Sequence, residues 1–458
     1  MTMRIEKTMG RHAALWMMSA LLMVAMPCRF LAAADLPESY VGLWKDPAVA
    51  NRITDGIEKN RKGDAAVCVI DEGGTPVPGA TVRVHHRTHD FLFGCNLFVL
   101  GQLATPELNQ KYERAFTNLF NFATLPFYWR ELEPQQGRPR FTEDSPRIWR
   151  RPPPDQLVKW CKANGITPKG HALMYVKNKF MPDWTAHSDG RLLQQQAAKH
   201  MAEIAQRYGR DIPIWDAVNE EIPRRLHFQE WHAVPDDFLA WCFQEAGRLF
   251  SKDVRLLIND GQIQAHYNTY DYRSMVADLL QRQIRVEGIG MQFHVSRGSV
   301  LSGDLYTPGR LQTVYGELGG LGLPLYITEI TVPALGEDGP AQQAAIVENQ
   351  YRLWFSTAQM AGVTWWNLGD GTAFENENKA LGGLLDGDMN PKPAYRALDR
   401  LINHEWKTRI ELTTDAVGRA NFRGFCGEYE VSVDSGGKVV KGAFRLSKGA
   451  SAKWVIRL

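Results

Sequence analysis

From Phe91 onward, short apolar segments alternate with longer amphipathic ones, and this alternation, repeated eight times, restricts the fold more than any other feature of the chain. The short segments begin at Phe91 (FLFGCNLF), Phe120 (FNFATLPF), Thr167 (TPKGHALMY), Ile214 (IWDAVNE), Arg255 (RLLIND), Glu287 (EGIGMQFHV), Pro324 (PLYITEI) and Gly362 (GVTWWNLGD). Strands apolar on both faces suit a parallel sheet covered by helices. The stretches between them, such as Asp155 to Asn164 and Leu192 to Tyr208, carry apolar residues near helical spacing. Eight strand-then-helix units fit a closed barrel better than an open doubly wound sheet. No Gly-x-Gly-x-x-Gly turn follows the first strand, which also weighs against a dinucleotide fold. The expected fold is therefore α/β, a (β/α)8 TIM barrel over residues 91–403.

The pattern is β on both sides of this barrel. Residues 35–90 are expected to form a small N-terminal β-appendage, with strands AAVCVID and GATVRVHH joined by the turn-forming GGTPVPG. His85, His86 and His89 end it. Three histidines so close could hold a metal, but no acidic or cysteine partner stands at a ligand spacing, so a surface turn without metal is expected. Residues 404–458 read as a small sandwich-like C-terminal β-module: TRIELTTD, ANFRGFCGEYEVSVD, KGAFRLSKG and SAKWVIRL.

The first 34 residues read as a signal peptide. Arg4, Lys7 and Arg11 precede an apolar run from Ala13 to Met26, and Ala32, Ala33 and Ala34 offer small residues for cleavage. That run is short of the ~20 residues a spanning helix needs, which disfavours the rival reading of a retained membrane anchor. Pro27 before Cys28 makes a poor lipidation site. The chain is thus expected to be exported, to the periplasm or beyond, after cleavage near Ala34, with no stable membrane insertion. Cys68, Cys95, Cys161, Cys242 and Cys426 remain, scattered and odd in number, so neither a zinc site nor a disulfide framework is indicated. A net charge of +2, from 53 basic and 51 acidic residues, predicts no nucleic-acid partner. The nearest basic run, Arg147 to Arg151 (RIWRR), reads as a solvated loop.

In a barrel of this kind functional groups gather where the strands end. Polar residues cluster there: His171 on the third strand, Asn219 and Glu220 on the fourth, Asn259 and Asp260 on the fifth, Gln292 and His294 on the sixth, Glu329 on the seventh, and Trp366 and Asp370 on the eighth. A carboxylate at the end of an apolar strand costs stability unless it is paired or used. Glycoside hydrolysis needs two carboxyl groups across the scissile bond, one to protonate the leaving oxygen and one to attack the anomeric carbon or activate water. Glu220 and Glu329, on opposite sides of a barrel, can meet that need. Tryptophans add platforms for a sugar's C–H face, and His, Asn and Gln supply hydroxyl contacts.

These segments make the sequence identifiable. IWDAVNE at 214–220, followed about a hundred residues later by YITEI at 326–330, resembles glycoside hydrolase family 10, the endo-β-1,4-xylanase family. GHALMY resembles that family's GHTLVW, IND its YND, EGIGMQFH its DGIGxQxH, TWWNLGD its TFWGxxD, and NPKPAY its KPAY. These run in the family's order from about residue 91 to 400, and the segment from Lys62 to Phe93 is like the β-prelude of some members. The resemblance implies a retaining, endo-acting hydrolase of xylan or xylo-oligosaccharides that needs no cofactor and no metal. Position by position, it implies that Glu220 is the acid/base and Glu329 the nucleophile, and that Asn219 contacts the sugar 2-hydroxyl. It further implies that His294 orients the nucleophile, and that Gln292, His171, Trp129, Tyr175 and Trp366 belong to the shell around the cleavage-site sugar. Glu221 is an adjacent alternative acid, but the two-residue alternation of a strand points it elsewhere.

The departures bear on substrate. A Glu-Asn-x-x-Lys run precedes the tryptophan in the family and grips the next xylose; Thr124, Leu125 and Tyr128 stand at those positions here. Tyr175 replaces a tryptophan, Val176 a histidine, Asn178 a glutamine and Phe374 a tryptophan. Another plant or algal β-glycan is therefore the alternative substrate, and a non-catalytic glycan-binding protein the alternative class. The C-terminal module is expected to be a structural cap rather than a carbohydrate-binding module, because Trp454 and Tyr429 are its only obvious sugar-stacking candidates.

Overall fold

The computed structural model describes residues 35–226, 230–261, 263–264, 268–449 and 452–458; the expected signal peptide lies outside them. The described chain begins with two helices, Glu38–Lys45 and Pro47–Arg61, where the sequence suggested only β structure. The second helix starts because Asp46 accepts a hydrogen bond from the Ala48 N–H (2.8 Å) and Pro47 fills the first turn. Tyr40, Trp44, Val49 and Ile53 form its and its neighbour's buried stripe. Strands β1 (Lys62–Ile70) and β2 (Thr81–His89) follow, and β2 leads almost directly into the barrel.

The barrel strands are β3 (Leu92–Asn96), β4 (Phe122–Pro126), β5 (Thr167–Met174), β6 (Ile214–Asn219), β7 (Arg255–Asp260), β8 (Gly288–His294), β9 (Leu325–Thr331) and β10 (Met360–Trp365). Each coincides with one of the eight expected segments. All pair in parallel, and β10 closes on β3. Helices cover the outside and begin at signals visible in the sequence: Thr105 caps Pro106–Leu119 and Asp189 caps Gly190–Tyr208. Gly170 on β5 is needed for close approach, since a Cβ there would lie 2.1 Å from the Trp215 ring on β6. Packing that indole against bare backbone brings His171 into register with Asp216.

The two outer β regions are not separate attachments. β1 lies between β12 (Arg419–Phe425) and β15 (Ala452–Arg457), while β2 lies between β11 (Arg409–Thr413) and β13 (Gly427–Ser435), with β14 (Lys438–Leu446) at the edge. One sandwich results, with Val67, Val69, Val82 and Val84 from the N-terminal strands packed on Phe422, Val431, Val433 and Phe444. Alone, β1 and β2 could not cover their apolar faces. Tyr429 is part of this core at 1 % exposure, and Trp454 stacks on Phe444 at 3.6 Å. The histidines are not in a surface turn. They lie on β2, with His86 and His89 buried, His86 stacked on Tyr429 (4.7 Å) and edge-on to His89 (4.5 Å). The sandwich and the helix Pro47–Arg61 meet the barrel at the strands' N-terminal ends. There Arg61 donates to the carbonyls of Phe355, Thr357 and Met360, away from the rim where the polar residues gather. Cys68, Cys95, Cys161, Cys242 and Cys426 are each buried and unpaired.

Candidate active site

Glu220 stands directly after β6, and its N–H donates to the Asn259 carbonyl at the end of β7 (2.9 Å). Its φ of +57° is a left-handed conformation that costs a non-glycine residue about 1–2 kcal/mol. That turn separates it from Glu221, which begins the next helix and is claimed at 2.6 and 2.8 Å by Arg224 and Arg225. Asp260 secures the turn by accepting from the Ile222 and Gly261 N–H groups, and its burial pushes it up to about 8. Glu329 lies within β9 at 4 % exposure, directly across from Gln292 of β8 in the ladder.

The Gln292 amide nitrogen joins the two glutamates, donating to Glu220 Oε1 at 3.3 Å and to Glu329 Oε1 at 3.2 Å. The two Oε1 atoms therefore lie no more than 6.5 Å apart, those two lengths laid end to end. Asn259 Nδ2 donates to Glu329 Oε1 (2.9 Å) and to Asn219 Oδ1 (2.8 Å), while Thr328 Oγ1 donates to Asn259 Oδ1 (2.5 Å). Asn219 uses its oxygen in this network, so a ligand hydroxyl would meet its NH2. His294 places Nε2 3.0 Å from Glu329 Oε2 and Nδ1 2.9 Å from Thr331 Oγ1. Burial alone would raise the Glu329 carboxyl. The His294 hydrogen bond, with the neighbouring His171 and Lys169, outweighs burial and holds it below the usual range. The reciprocal effect raises His294 despite its own desolvation.

The opposite side of the cleft is aromatic. Trp366, just past β10, sits edge-on to His171 (5.5 Å), His294 (6.0 Å) and Phe98 (5.2 Å). Tyr175 stacks on Phe180 (4.7 Å), and its hydroxyl is raised by burial and then by the nearby Glu220. Tyr128 completes the cluster against Phe180 (4.9 Å) and His171 (5.4 Å). Thr124 and Leu125 are fully buried. Trp129 is turned away from the site, contrary to expectation. It begins the short helix Trp129–Leu132, stacks on His200 (4.2 Å) and donates its indole N–H to Glu133 (2.9 Å); its neighbour Tyr128 faces His171 instead. In the RIWRR run, expected to be a solvated loop, Arg147 and Trp149 are exposed but Arg150 and Arg151 are buried. Arg150 (3 % exposed) donates to Asn367 Oδ1 (2.6 Å) and the Thr372 carbonyl, and Arg151 (7 %) lies 4.0 Å over the Tyr128 ring.

The family model for glycosyl hydrolase family 10 matches residues 98–400, about two thirds of the chain. The chain belongs to glycosyl hydrolase family 10. Among curated relatives, it is 24 % identical over 397 residues to the anti-sigma-I factor RsgI6 of Acetivibrio thermocellus, covering 86 % of this chain and 47 % of that protein. It is 28 % identical over 258 residues to endo-1,4-beta-xylanase B of Neocallimastix patriciarum, covering 54 % and 28 %. The chain thus spans less than half the length of either. In fold it is similar to xylanase 10B from Thermotoga maritima, with a TM-score of 0.57 at 20 % identity over 69 % of this chain and 96 % of that one. This family 10 chain carries two further groups in the site's foundation that were not singled out, Lys169 and Asp216. The available signal was a charged residue inside each of two otherwise apolar strands, TPKGHALM and IWDAVN.

Proposed function

We propose that the protein is a retaining, endo-acting β-glycoside hydrolase, an endo-1,4-β-xylanase that cleaves xylan or xylo-oligosaccharides by double displacement. The observation that carries this reading is the shared Gln292 amide, which limits the separation of the Glu220 and Glu329 oxygens to 6.5 Å. Retaining enzymes hold the two carboxyls about 5–5.5 Å apart and inverting ones about 6.5–9.5 Å, to leave room for a water. In this mechanism Glu329, ionised under the influence of His294, attacks the anomeric carbon while protonated Glu220 gives its proton to the departing glycosidic oxygen. Glu220, now a base, takes a proton from water, which attacks the glycosyl ester and releases Glu329. The Asn219 amide donates to a hydroxyl beside the reacting carbon, a bond that strengthens as positive charge develops on the ring. His171, Gln292, His294, Tyr175 and Trp366 surround the sugar being cleaved. The family membership and the xylanases among its relatives support the same substrate.

One observation favours a second substrate. Thr124, Leu125 and Tyr128 are buried where the resemblance places a polar Glu-Asn-x-x-Lys grip on the next xylose, and the loss of that grip supports another plant or algal β-glycan as the alternative substrate. Export follows from residues 1–34 read as a signal peptide cleaved near Ala34. Among the described residues no helix is long and apolar enough to cross a membrane. Reducing-sugar release from xylan, arabinoxylan, cellulose and mixed-linkage glucan, by wild type beside Glu329→Gln, tests the proposal. Release from xylan that falls by ~10⁴-fold or more in the variant is expected, the scale of losing a covalent nucleophile. Release only from another glycan moves the substrate, and binding without release from any glycan overturns the enzymatic reading.

A further inference from the structure

Between the sandwich and the barrel, at the ends of the strands opposite the two glutamates, lies a cavity of about 380 Å³. On one side it is bounded by the first residues of barrel strands, among them Thr167 of β5, Ile214 of β6 and Arg255 of β7. On the other stand Arg61, which ends the helix Pro47–Arg61, Arg445 of β14, and Lys448 just beyond it. Four basic side chains, Arg61, Arg255, Arg445 and Lys448, line this space against two carboxylates, Asp90 and Asp253. Burial holds His89 well below its ordinary value, so this fifth basic group is uncharged, and burial pushes the Cys426 thiol up, so it is neutral too.

Only Arg445 is matched, lying 2.8 Å from Asp90 and 2.9 Å from Glu428. Among the described residues Arg61, Arg255 and Lys448 form no ion pair. Arg61 gives Nε and Nη2 to the carbonyls of Phe355 (2.5 Å), Thr357 (2.5 Å) and Met360 (2.8 Å), which leaves Nη1 without a partner and open to solvent. Arg255 donates to the Tyr326 hydroxyl (3.1 Å), and Lys448 reaches only the side-chain oxygen of Asn60, at 3.5 Å. Gathering like charges at a partly desolvated wall is unfavourable. Burial lowers Arg61 to about 10, and Lys448 is lowered first by burial and then by Arg61 and Lys59. An anion bound among these groups relieves both costs. A guanidinium edge beside an ammonium is the donor set that suits the oxygens of a carboxylate or phosphate. Phe91 and Phe355 add an apolar side, and apolar lining with a few placed charges is the make-up of a site for a small organic molecule.

We propose that this cavity is a binding site for a small oxyanion, a carboxylate or phosphate group on a molecule no larger than a monosaccharide, held by Arg61 Nη1, Lys448 and Arg255. The site is separate from the cleft and does not depend on the glycoside hydrolase reading. Arg61 is tied to the carbonyls before and at the start of β10, Arg255 begins β7, and Lys448 belongs to the sandwich. A bound oxyanion therefore joins barrel to sandwich and stabilises the folded chain against the unfolded one.

The test is thermal unfolding of the full chain titrated with sodium phosphate, sodium sulfate, sodium D-glucuronate, D-xylose or sodium chloride, the salts at matched ionic strength. A bound oxyanion should raise Tm saturably, by about 3 °C at a hundredfold excess over Kd, whereas xylose and chloride should not. Phosphate and sulfate acting without glucuronate would assign the ligand to a free inorganic ion, and glucuronate acting at lower concentration would assign it to a sugar acid; either result supports the site and decides the source. Lys448→Met and Arg255→Gln change exposed side chains, so both variants should fold, and each should raise Kd by about tenfold, the scale of one charge-assisted hydrogen bond. Arg61 stays in place because its three carbonyl bonds anchor the helix. An equal rise with chloride, no saturable rise with any oxyanion, or a rise undiminished in the Lys448→Met/Arg255→Gln double variant overturns the proposal. The readout is unfolding and not activity, so the result stands whether or not the chain cleaves xylan.

Discussion

Where β6 to β9 end, Asn219, Glu220, Asn259, Gln292, His294 and Glu329 form one continuous hydrogen-bonded network. Where β3, β4, β5 and β10 end, the rings of Phe98, Tyr128, Tyr175, Phe180 and Trp366 close against one another, with Arg150 and Arg151 behind them. The first wall uses nearly every polar atom to fix the position and charge of two carboxylates. The second fixes shape. The difference teaches that the two sides of the site are held by different forces, one by hydrogen bonds and one by ring packing, so that under the proposed function one side can change while the other is kept.

If that division is correct, the two walls respond differently to substitution. Glu220→Gln should cost about 10²–10⁴-fold in kcat on a natural glycan, the range for losing general acid catalysis, and much less on an aryl glycoside whose leaving group needs no proton. Equal losses on both substrates would break the assignment of Glu220 as acid. On the aromatic side, Phe98→Ala should lower stability by about 3–5 kcal/mol, seen in chemical denaturation, because Phe98 is wholly buried. Its activity per folded molecule should keep the wild-type pH profile, and an altered profile would show that the walls are coupled. The smallest effect expected is for His294→Gln. Glu329 is held below the usual range chiefly through His294, so it stays ionised, and the enzyme active, as pH falls to that lowered value. Without the histidine its largest lowering influence is gone, Glu329 takes up its proton at higher pH, and the acid limb of kcat/KM should move upward, a change confined to that limb. An unmoved limb would assign the tuning to His171 and Lys169 instead.

The same division explains what could be read in advance. Each member of the polar wall sits at or beside the end of a strand whose apolar run announces it, so the barrel's own geometry converts positions 219, 220, 292, 294 and 329 into neighbours. In the aromatic wall only Tyr175 and Trp366 directly follow a strand and carry that marker. Phe98, Tyr128, Tyr175, Phe180 and Trp366 come from four different loops, and tryptophan at 129 was the more obvious sugar platform than tyrosine at 128. Which of two adjacent rings faces the cleft depends on where the short helix Trp129–Leu132 begins, and His200 on a distant helix captures Trp129. The arginines mislead for a similar reason. A run of basic residues is usually solvated, yet Asn367, Thr372 and two aromatic rings arrive from elsewhere in the chain to bury Arg150 and Arg151, while Arg147 stays exposed.

The sequence by itself determined the eight strands, the identity of the family and the placing of Glu220 and Glu329 at strand ends of one rim, because strand periodicity and the chemistry placed at strand ends are local properties that survive without knowledge of partners. Only the tertiary structure decided that β1 and β2 join β11 to β15 in a single sandwich, that His86 and His89 are core residues, and that Lys169 and Asp216 lie under the nucleophile. Strand pairing and burial depend on surfaces hundreds of residues apart coming together. A strand edge or a charged side chain carries no local record of what will cover it.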